Sequence, residues 1–331
     1  MSTLPILSII VPVYNPPTKS FTRCMDSLLK QTLPSLEILL VDDGSAEECR
    51  AACDRFASEN ATVRVIHQDN AGVSTARNRG IDAASGQYVA FVDADDDVEP
   101  EYAETLLAAI DGCDLVICGM LEQRYDMEDR HYDVSSFFAF PELHSGVQYI
   151  NFCVNKLFRA TIIRQNKVRF DPSVKLGEDA LFFAEYVRYC QSIRCISQSL
   201  YHYRVTPGSA MRSFNPLFWS WEKRLIHAGW RLFTQVPLDP VQNSFLLGWL
   251  YGKFKYAFFY YLSHDWRDRH SLVEISRDPL YSLLLKRARD NALREFCPKA
   301  KLTLMLWRSF GLTGVVFSFW MIEFWHRLHS R

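Results

Sequence analysis

The chain has 331 residues, 48% of them hydrophobic, enough for one large domain or two modest ones with a sizeable core. Its formal net charge of −1 argues against a nucleic-acid partner. The nine cysteines are odd in number and irregularly spaced; Cys49 and Cys53 have no second pair or His cluster to complete a zinc site, and a reducing compartment is expected.

The amino terminus does not read as a signal peptide, because Pro5 and an apolar run follow at once without a basic region. Up to residue 119 the pattern alternates strand and helix. Strands are predicted near 7–13, 36–41, 63–67, 87–92 and 114–118, and helices near 19–31, 46–59, 73–84 and 99–110. That alternation implies an α/β fold with a mostly parallel sheet and helices on both faces. Residues 120–150 are mixed, polar and aromatic, and are expected to form a variable excursion near the mouth of the site. A helix near 178–190 and short strands near 193–205 follow. Beyond about 214 the pattern changes to long helices, near 216–235, 241–263, 279–296 and 302–328. The expected domains are therefore 1–213 and a helical 214–331.

Four stretches carry chemistry. Leu36 to Val41 is apolar apart from Glu37 and closes on Asp42-Asp43-Gly44-Ser45. Asn70-Ala71-Gly72 leads into a helix bearing Arg77, Asn78 and Arg79. Tyr88 to Val92 is apolar and closes on Asp93-Ala94-Asp95, with Asp96 and Asp97 behind. Gly177-Glu178-Asp179 opens a later helix. Carboxylates at strand ends lie where open α/β sheets bind ligands. Such oxygens suit Mg²⁺ or Mn²⁺, which can hold a diphosphate. Glu178 and Asp179 point in different directions from adjacent helix positions, so only one can face a reacting group. A dinucleotide-binding G-x-G-x-x-G after the first strand and a P-loop are both missing from the sequence.

In this order, together with Ser8 to Asn15, these segments resemble the inverting glycosyltransferases of family 2 over about residues 5–212. The resemblance implies the nucleotide-diphospho-sugar (GT-A) fold and a UDP-sugar donor. It implies a uridine pocket from Pro12, Tyr14 and Asp42, with Asp43 supporting the turn. Asp95 is the expected direct ligand of Mn²⁺ or Mg²⁺, with Asp93 on the ribose or on the metal through water. Gly72 would let the backbone approach the diphosphate, and the family pattern favours Arg77 over Arg79 as its fixed positive charge. Asp179 is the implied general base, with Glu178 orienting the loop or binding acceptor. Arg212 or Arg204 is expected to cover the diphosphate. His202 is expected as a hydrogen-bonded strand residue, the rival role being a third metal ligand. Lys156 lies in a further family signature without an assigned role. The expected acceptor is a saccharide, polyprenyl-diphosphate-linked, in capsule, O-antigen or exopolysaccharide synthesis.

Charge is distributed unevenly. Residues 1–215 carry 20 Lys+Arg and 29 Asp+Glu, net −9, whereas 216–331 carry 17 and 9, net +8. All eight tryptophans lie in the second part. A basic, Trp-rich segment suits an anionic membrane surface. The charge-free run Ser309 to Ile322, flanked by Trp307, Trp320 and Trp325, is too short to span a bilayer and suits the interface. The expectation is a cytoplasmic enzyme held peripherally on the inner face of the membrane, with a homodimer left open. Two other readings fit the sequence less well. A sugar-nucleotide pyrophosphorylase would need a Gly-rich basic loop where Asn15-Pro16-Pro17-Thr18 stands. A catalytically silent sugar-nucleotide or glycan-binding subunit of a synthase complex would be expected to have lost the acidic motif or the base.

Overall fold

The computed structural model describes residues 4–121, 128–138, 152–175, 177–204, 215–234, 240–264, 269–289 and 298–329. They divide into two compact units, Met1–Arg212 and Ser213–Arg331.

The first unit is a nine-stranded sheet flanked by helices. Its first half runs β1 (Leu7–Val13), α1 (Thr18–Leu29), β2 (Leu36–Asp43), α2 (Glu47–Glu59), β3 (Val63–Gln68), α3 (Val73–Ala83), β4 (Tyr88–Phe91) and β5 (Asp97–Val98). Its second half runs α4 (Tyr102–Ala109), β6 (Leu115–Met120), β7 (Arg130–Asp133), α5 (Val134–Phe138), β8 (Lys156–Arg159), α6 (Ala160–Gln165), α7 (Glu178–Val187) and β9 (Ser192–His202). The strand order is β3-β2-β1-β4-β8-β6-β9-β5, with β7 also on β9. The long ladders β1–β2, β2–β3, β1–β4 and β6–β9 are parallel; the ladders at β8, β5 and β7 are short and antiparallel.

Burial explains the sequence pattern. β2 is buried at every position and β1 at all but Pro12, so both read as near-continuous apolar runs rather than alternating ones. The acid inside β2 is fully engaged. Glu37 accepts from the Ser8 hydroxyl at 2.6 Å, from Ser85 N–H at 2.7 Å and from Arg64 at 2.9 Å. Burial opposes its charge, yet these donors hold its pKa below the ordinary value. On α1, Phe21, Cys24, Met25 and Leu28 form the buried stripe of a surface helix. Because β2, β1 and β4 are parallel neighbours, Asp42, Tyr14 and Asp93 all emerge at one sheet edge.

Residues 130–133 correct the expectation of a loop at the site mouth. They form β7, which pairs with the start of β9 through Arg130↔Cys195 and Asp133↔Ser192. The acidic cluster meets β9 at its other end, through Asp97↔His202. The strand also corrects the reading of 193–205 as several short pieces, since β9 is one element of 11 residues. The remainder of 120–150, at 122–127 and 139–150, lies outside the described residues.

The second unit contains α8 (Phe218–Phe233), α9 (Pro240–His264), α10 (Arg269–Ser276), α11 (Pro279–Arg289) and α12 (Pro298–His329). α11 starts with Asp278 as cap and Pro279 in its first position, and Leu280 N–H donates to the Asp278 carboxylate at 2.9 Å. Aromatic rings make the core: Phe258 and Trp307 lie 5.3 Å apart, as do Phe254 and Tyr281. Trp307, expected at a membrane interface, is 0% exposed, and Trp219 and Trp221 are buried as well. These rings cement helices together because their large apolar area is worth more inside than at a surface. Among the described residues no helix is long and apolar enough to cross a membrane.

Candidate active site

The strand tips supply the walls. Val92 N–H donates to the Ile10 carbonyl at 3.1 Å, extending the β1–β4 ladder to the doorstep of Asp93. The acidic turn is then pinned from both sides. Arg23 donates to the Asp95 carbonyl at 2.6 Å and to the Asp97 carboxylate at 2.7 Å. The Tyr201 hydroxyl accepts Asp93 N–H at 3.2 Å and donates to Asp96 at 2.6 Å. Asp96 also accepts Arg204 N–H at 2.8 Å, and burial plus the Asp93 charge push its pKa up to about 8. Asp96 and Asp97 thus hold the turn, leaving Asp93 and Asp95 as its partly exposed carboxylates.

Arg77 links this turn to α7. Its guanidinium donates to Asp93 at 2.9 Å and to Asp179 at 2.5 Å, with Glu178 at 3.5 Å. It is only 3% exposed and lies 5.2 Å over the Phe170 ring, which stacks at 4.0 Å on Phe182. Burial disfavours its charge, but Asp179 and the other acids around it raise its pKa well above the usual value, so it is a permanent cation. The structure therefore sinks Arg77 into the floor of the site, as a brace between three carboxylates. Its Nε is buried without a partner.

Glu178 and Asp179 open α7 after Gly177, whose φ of 85° is the left-handed conformation glycine tolerates. The thiol and backbone N–H of Cys153 lie close enough to Asp179 to pull its pKa down. Burial, then the charge of Asp179, push Glu178 up to about 7 against the pull of Arg77. Asp179 is raised too, by burial and by Asp93, again opposed by Arg77. The acids share a site and titrate as a set.

The other expected residues fall as follows. Tyr14 is 58% exposed at the end of β1, beside the half-buried Pro12. Asp42 is 1% exposed and lies behind them, accepting Ser45 N–H at 3.0 Å and pairing with His67 at 2.8 Å. Burial raises its pKa, and these two partners more than reverse that. Asp43 accepts Ala71 and Gly72 N–H, both at 2.8 Å, and so shapes the loop into α3. Gly72 has φ 91°, and a Cβ there would stand 3.2 Å from Lys175 Nζ. His202 pairs with Glu99 at 2.8 Å. Arg204 spends its guanidinium on Asp97 at 2.8 and 3.0 Å. Arg212 lies outside the described residues.

Sequence reading gave no site role to Cys153, Tyr201, Arg23, His67 or Lys175, each brought in by tertiary structure. Lys156, noted without a role, is 0% exposed, donates to Asn155 at 2.8 Å and is lowered to about 8 by burial. Among the described residues no three His, Cys, Asp or Glu side chains group to hold a metal by themselves. Two partly exposed carboxylates at one turn instead fit a divalent ion that takes its remaining ligands from substrate phosphates and water.

The mostly parallel sheet thus carries an acidic turn at its carboxyl edge, tied through Arg77 to an acid pair on α7. The chain belongs to glycosyl transferase family 2, whose model matches residues 8–186. Its relatives include the glycosyltransferase EpsH of Bacillus subtilis (strain 168), 32% identical over 241 residues that make up 69% of this chain and 67% of EpsH. S. aureus TarS 1–349, solved in complex with UDP-GlcNAc, superposes with a TM-score of 0.74 at 19% identity, over 97% of this chain and 91% of TarS 1–349. The mannosyltransferase PcManGT from Pyrobaculum calidifontis, solved with GDP-Man and Mn²⁺, superposes at 0.51 and 14% identity, over 96% and 86% of the two chains. At these identities the two likenesses establish the fold.

Proposed function

We propose that the protein is an inverting glycosyltransferase that moves a hexose or N-acetylhexosamine from a UDP-sugar to a hydroxyl of a saccharide acceptor. The acceptor is polyprenyl-diphosphate-linked, in surface polysaccharide synthesis, and the enzyme works peripherally at the cytoplasmic face of the membrane. One observation carries the catalytic part: a single buried cation, Arg77, braces Asp93 of the strand-tip turn and Asp179 of α7 in one rigid unit. Donor and acceptor chemistry thereby share one scaffold.

Pro12, Tyr14 and Asp42 line the nucleoside end. Asp42 is committed to Ser45 and His67, so it supports that wall and can accept one more donor through a spare lone pair. With the Gly72 N–H held by Asp43, the first turn of α3 beyond it offers its backbone N–H groups to the diphosphate, and Lys175 stands beside Gly72. Asp93 and Asp95 would hold Mn²⁺ or Mg²⁺, which as a Lewis acid offsets charge on departing UDP. Asp179 takes the acceptor proton, and its raised pKa brings it toward working pH. The acceptor oxygen then attacks the anomeric carbon from the side opposite UDP, inverting the linkage. Arg77 keeps Asp179 oriented, and Glu178 lines the acceptor side.

The test is a panel of UDP-sugars with Mn²⁺ and a polyprenyl-diphosphate saccharide acceptor. One donor is expected to turn over with inversion. A GDP-sugar preference, or retention at the anomeric carbon, would overturn the assignment.

A further inference from the structure

The charge-free run near the carboxyl end does not form a straight rod. α12 breaks at Gly311, where φ is 53° and ψ −134°. Trp307 donates its ring N–H to the Ser318 hydroxyl at 2.8 Å. In a straight helix those positions would stand about 16 Å apart along the axis. A side chain on Gly314 would collide with the Leu306 carbonyl, so the two arms touch directly. Residues 298–310 and 312–329 therefore fold back on each other as a helical hairpin with Gly311 at its bend.

The hairpin has two faces. Leu304, Trp307, Val315 and Ser318 are buried. Leu302, Met305, Phe310, Val316 and Phe317 are exposed, Met305 by 67% and Phe310 by 64%. So many exposed large apolar side chains in one short stretch call for an occupant. Charge chooses among the candidates. The unit Ser213–Arg331 carries 17 Lys+Arg against 9 Asp+Glu, net +8, with Arg308 exposed beside the bend. A second copy docked through the same face would bring like charge against like charge. An anionic lipid surface is complementary both to the charge and to the apolar face.

We propose that the α12 hairpin enters one leaflet of an anionic bilayer bend-first, without crossing it, burying Met305, Phe310 and Phe317 at the acyl boundary. This rests on the membrane association proposed above and assigns it to one element. Of the tryptophans expected at the interface, Trp307 faces inward and ties the two arms together, while the side chains of Trp320 and Trp325 lie outside the described residues.

The experiment is flotation of the full chain with vesicles of phosphatidylcholine, with or without phosphatidylglycerol. The comparison variant is Phe310→Asp/Phe317→Asp, whose two sites are exposed and belong to the second unit, whereas the proposed catalytic residues belong to the first. The parent chain is expected to float with the phosphatidylglycerol vesicles and to be released by salt. The variant should lose about tenfold or more in vesicle affinity. Its thermal midpoint and its donor hydrolysis without lipid should be unchanged. Equal flotation of variant and parent overturns the hairpin assignment and leaves membrane association standing. No flotation of the parent overturns both. A concentration-dependent dimer abolished by the variant, without vesicle binding, would give the face to a second copy.

Discussion

Both units have aromatic cores, and they differ in how much charge they bury, the second holding only Glu222 and Asp278 inside among its described residues. The first is net acidic and holds charged groups inside, where Arg77, Asp96, Asp42 and Lys156 are each almost wholly buried. The second is net basic and fills its core with aromatic rings, keeping five large apolar groups of α12 outside. Buried charge is costly unless paired, so it is concentrated where geometry has to be rigid. Exposed apolar area is costly unless covered, so it is concentrated where a surface has to bind. On the proposed reading, chemistry belongs to the first unit and membrane attachment to the second, and the two should respond differently to substitution.

The largest expected effect is on transfer. Asp179→Asn should lower kcat by about a thousandfold, within the range set by losing a general base. Donor affinity should be retained, as expected of the proposed base for the acceptor hydroxyl. Measuring kcat alongside UDP-sugar affinity checks both, and normal turnover would remove Asp179 as the base. Next comes stability. Arg77→Ala leaves three carboxylates without their shared cation and should cost about 3–5 kcal/mol in denaturant unfolding. Without that cation, Glu178 and Asp179 would have folded pKa values further above their unfolded ones. Their native state is favoured while they are protonated, and that benefit fades as pH rises. The loss should therefore be greater at pH 8 than at pH 5; a loss independent of pH would contradict the brace.

Smaller effects follow. With Glu178 pushed up to about 7 and Asp179 also raised, kcat/KM should climb with pH on a limb below about 7 as the acid set deprotonates. A flat profile from pH 5 to 8 would weaken the acid-pair assignment. The smallest effect belongs to the second unit. Trp307→Phe removes the ring N–H bond to Ser318 and should cost about 1 kcal/mol of stability, with donor hydrolysis untouched. A change in donor hydrolysis would blur the division between the units.

Much of this was legible in the sequence because the parallel strands β1, β2 and β4 are buried runs that stop abruptly at polar residues. Local chemistry marks such stops, so Asp42, Asp93 and Asp95 could be located one by one. The helix α3 was legible from its glycine entry and apolar spacing. What joins these pieces was not. Arg77 and Asp179 are 102 residues apart, and nothing local tells a phosphate-facing arginine from a buried brace. β8 escaped notice because four residues bounded by Lys156 and Arg159 show neither a run nor an alternation. β7 hid in a polar stretch because only Tyr132 of its four residues is buried. Composition counts rings but does not say which way they point, so the inward turn of Trp307 was not legible in the sequence. The hairpin depends on a single positive φ at Gly311, which a charge-free run does not announce.

The central claim is that the turn from Asp93 to Asp95 holds a nucleoside diphosphate through a divalent cation. Calorimetric titration of UDP into the full chain, with Mn²⁺ and then with chelator, tests it most directly, with Asp95→Ala in parallel. The account predicts binding with Mn²⁺, and its loss both on chelation and in Asp95→Ala. UDP binding of equal strength in all three would contradict it.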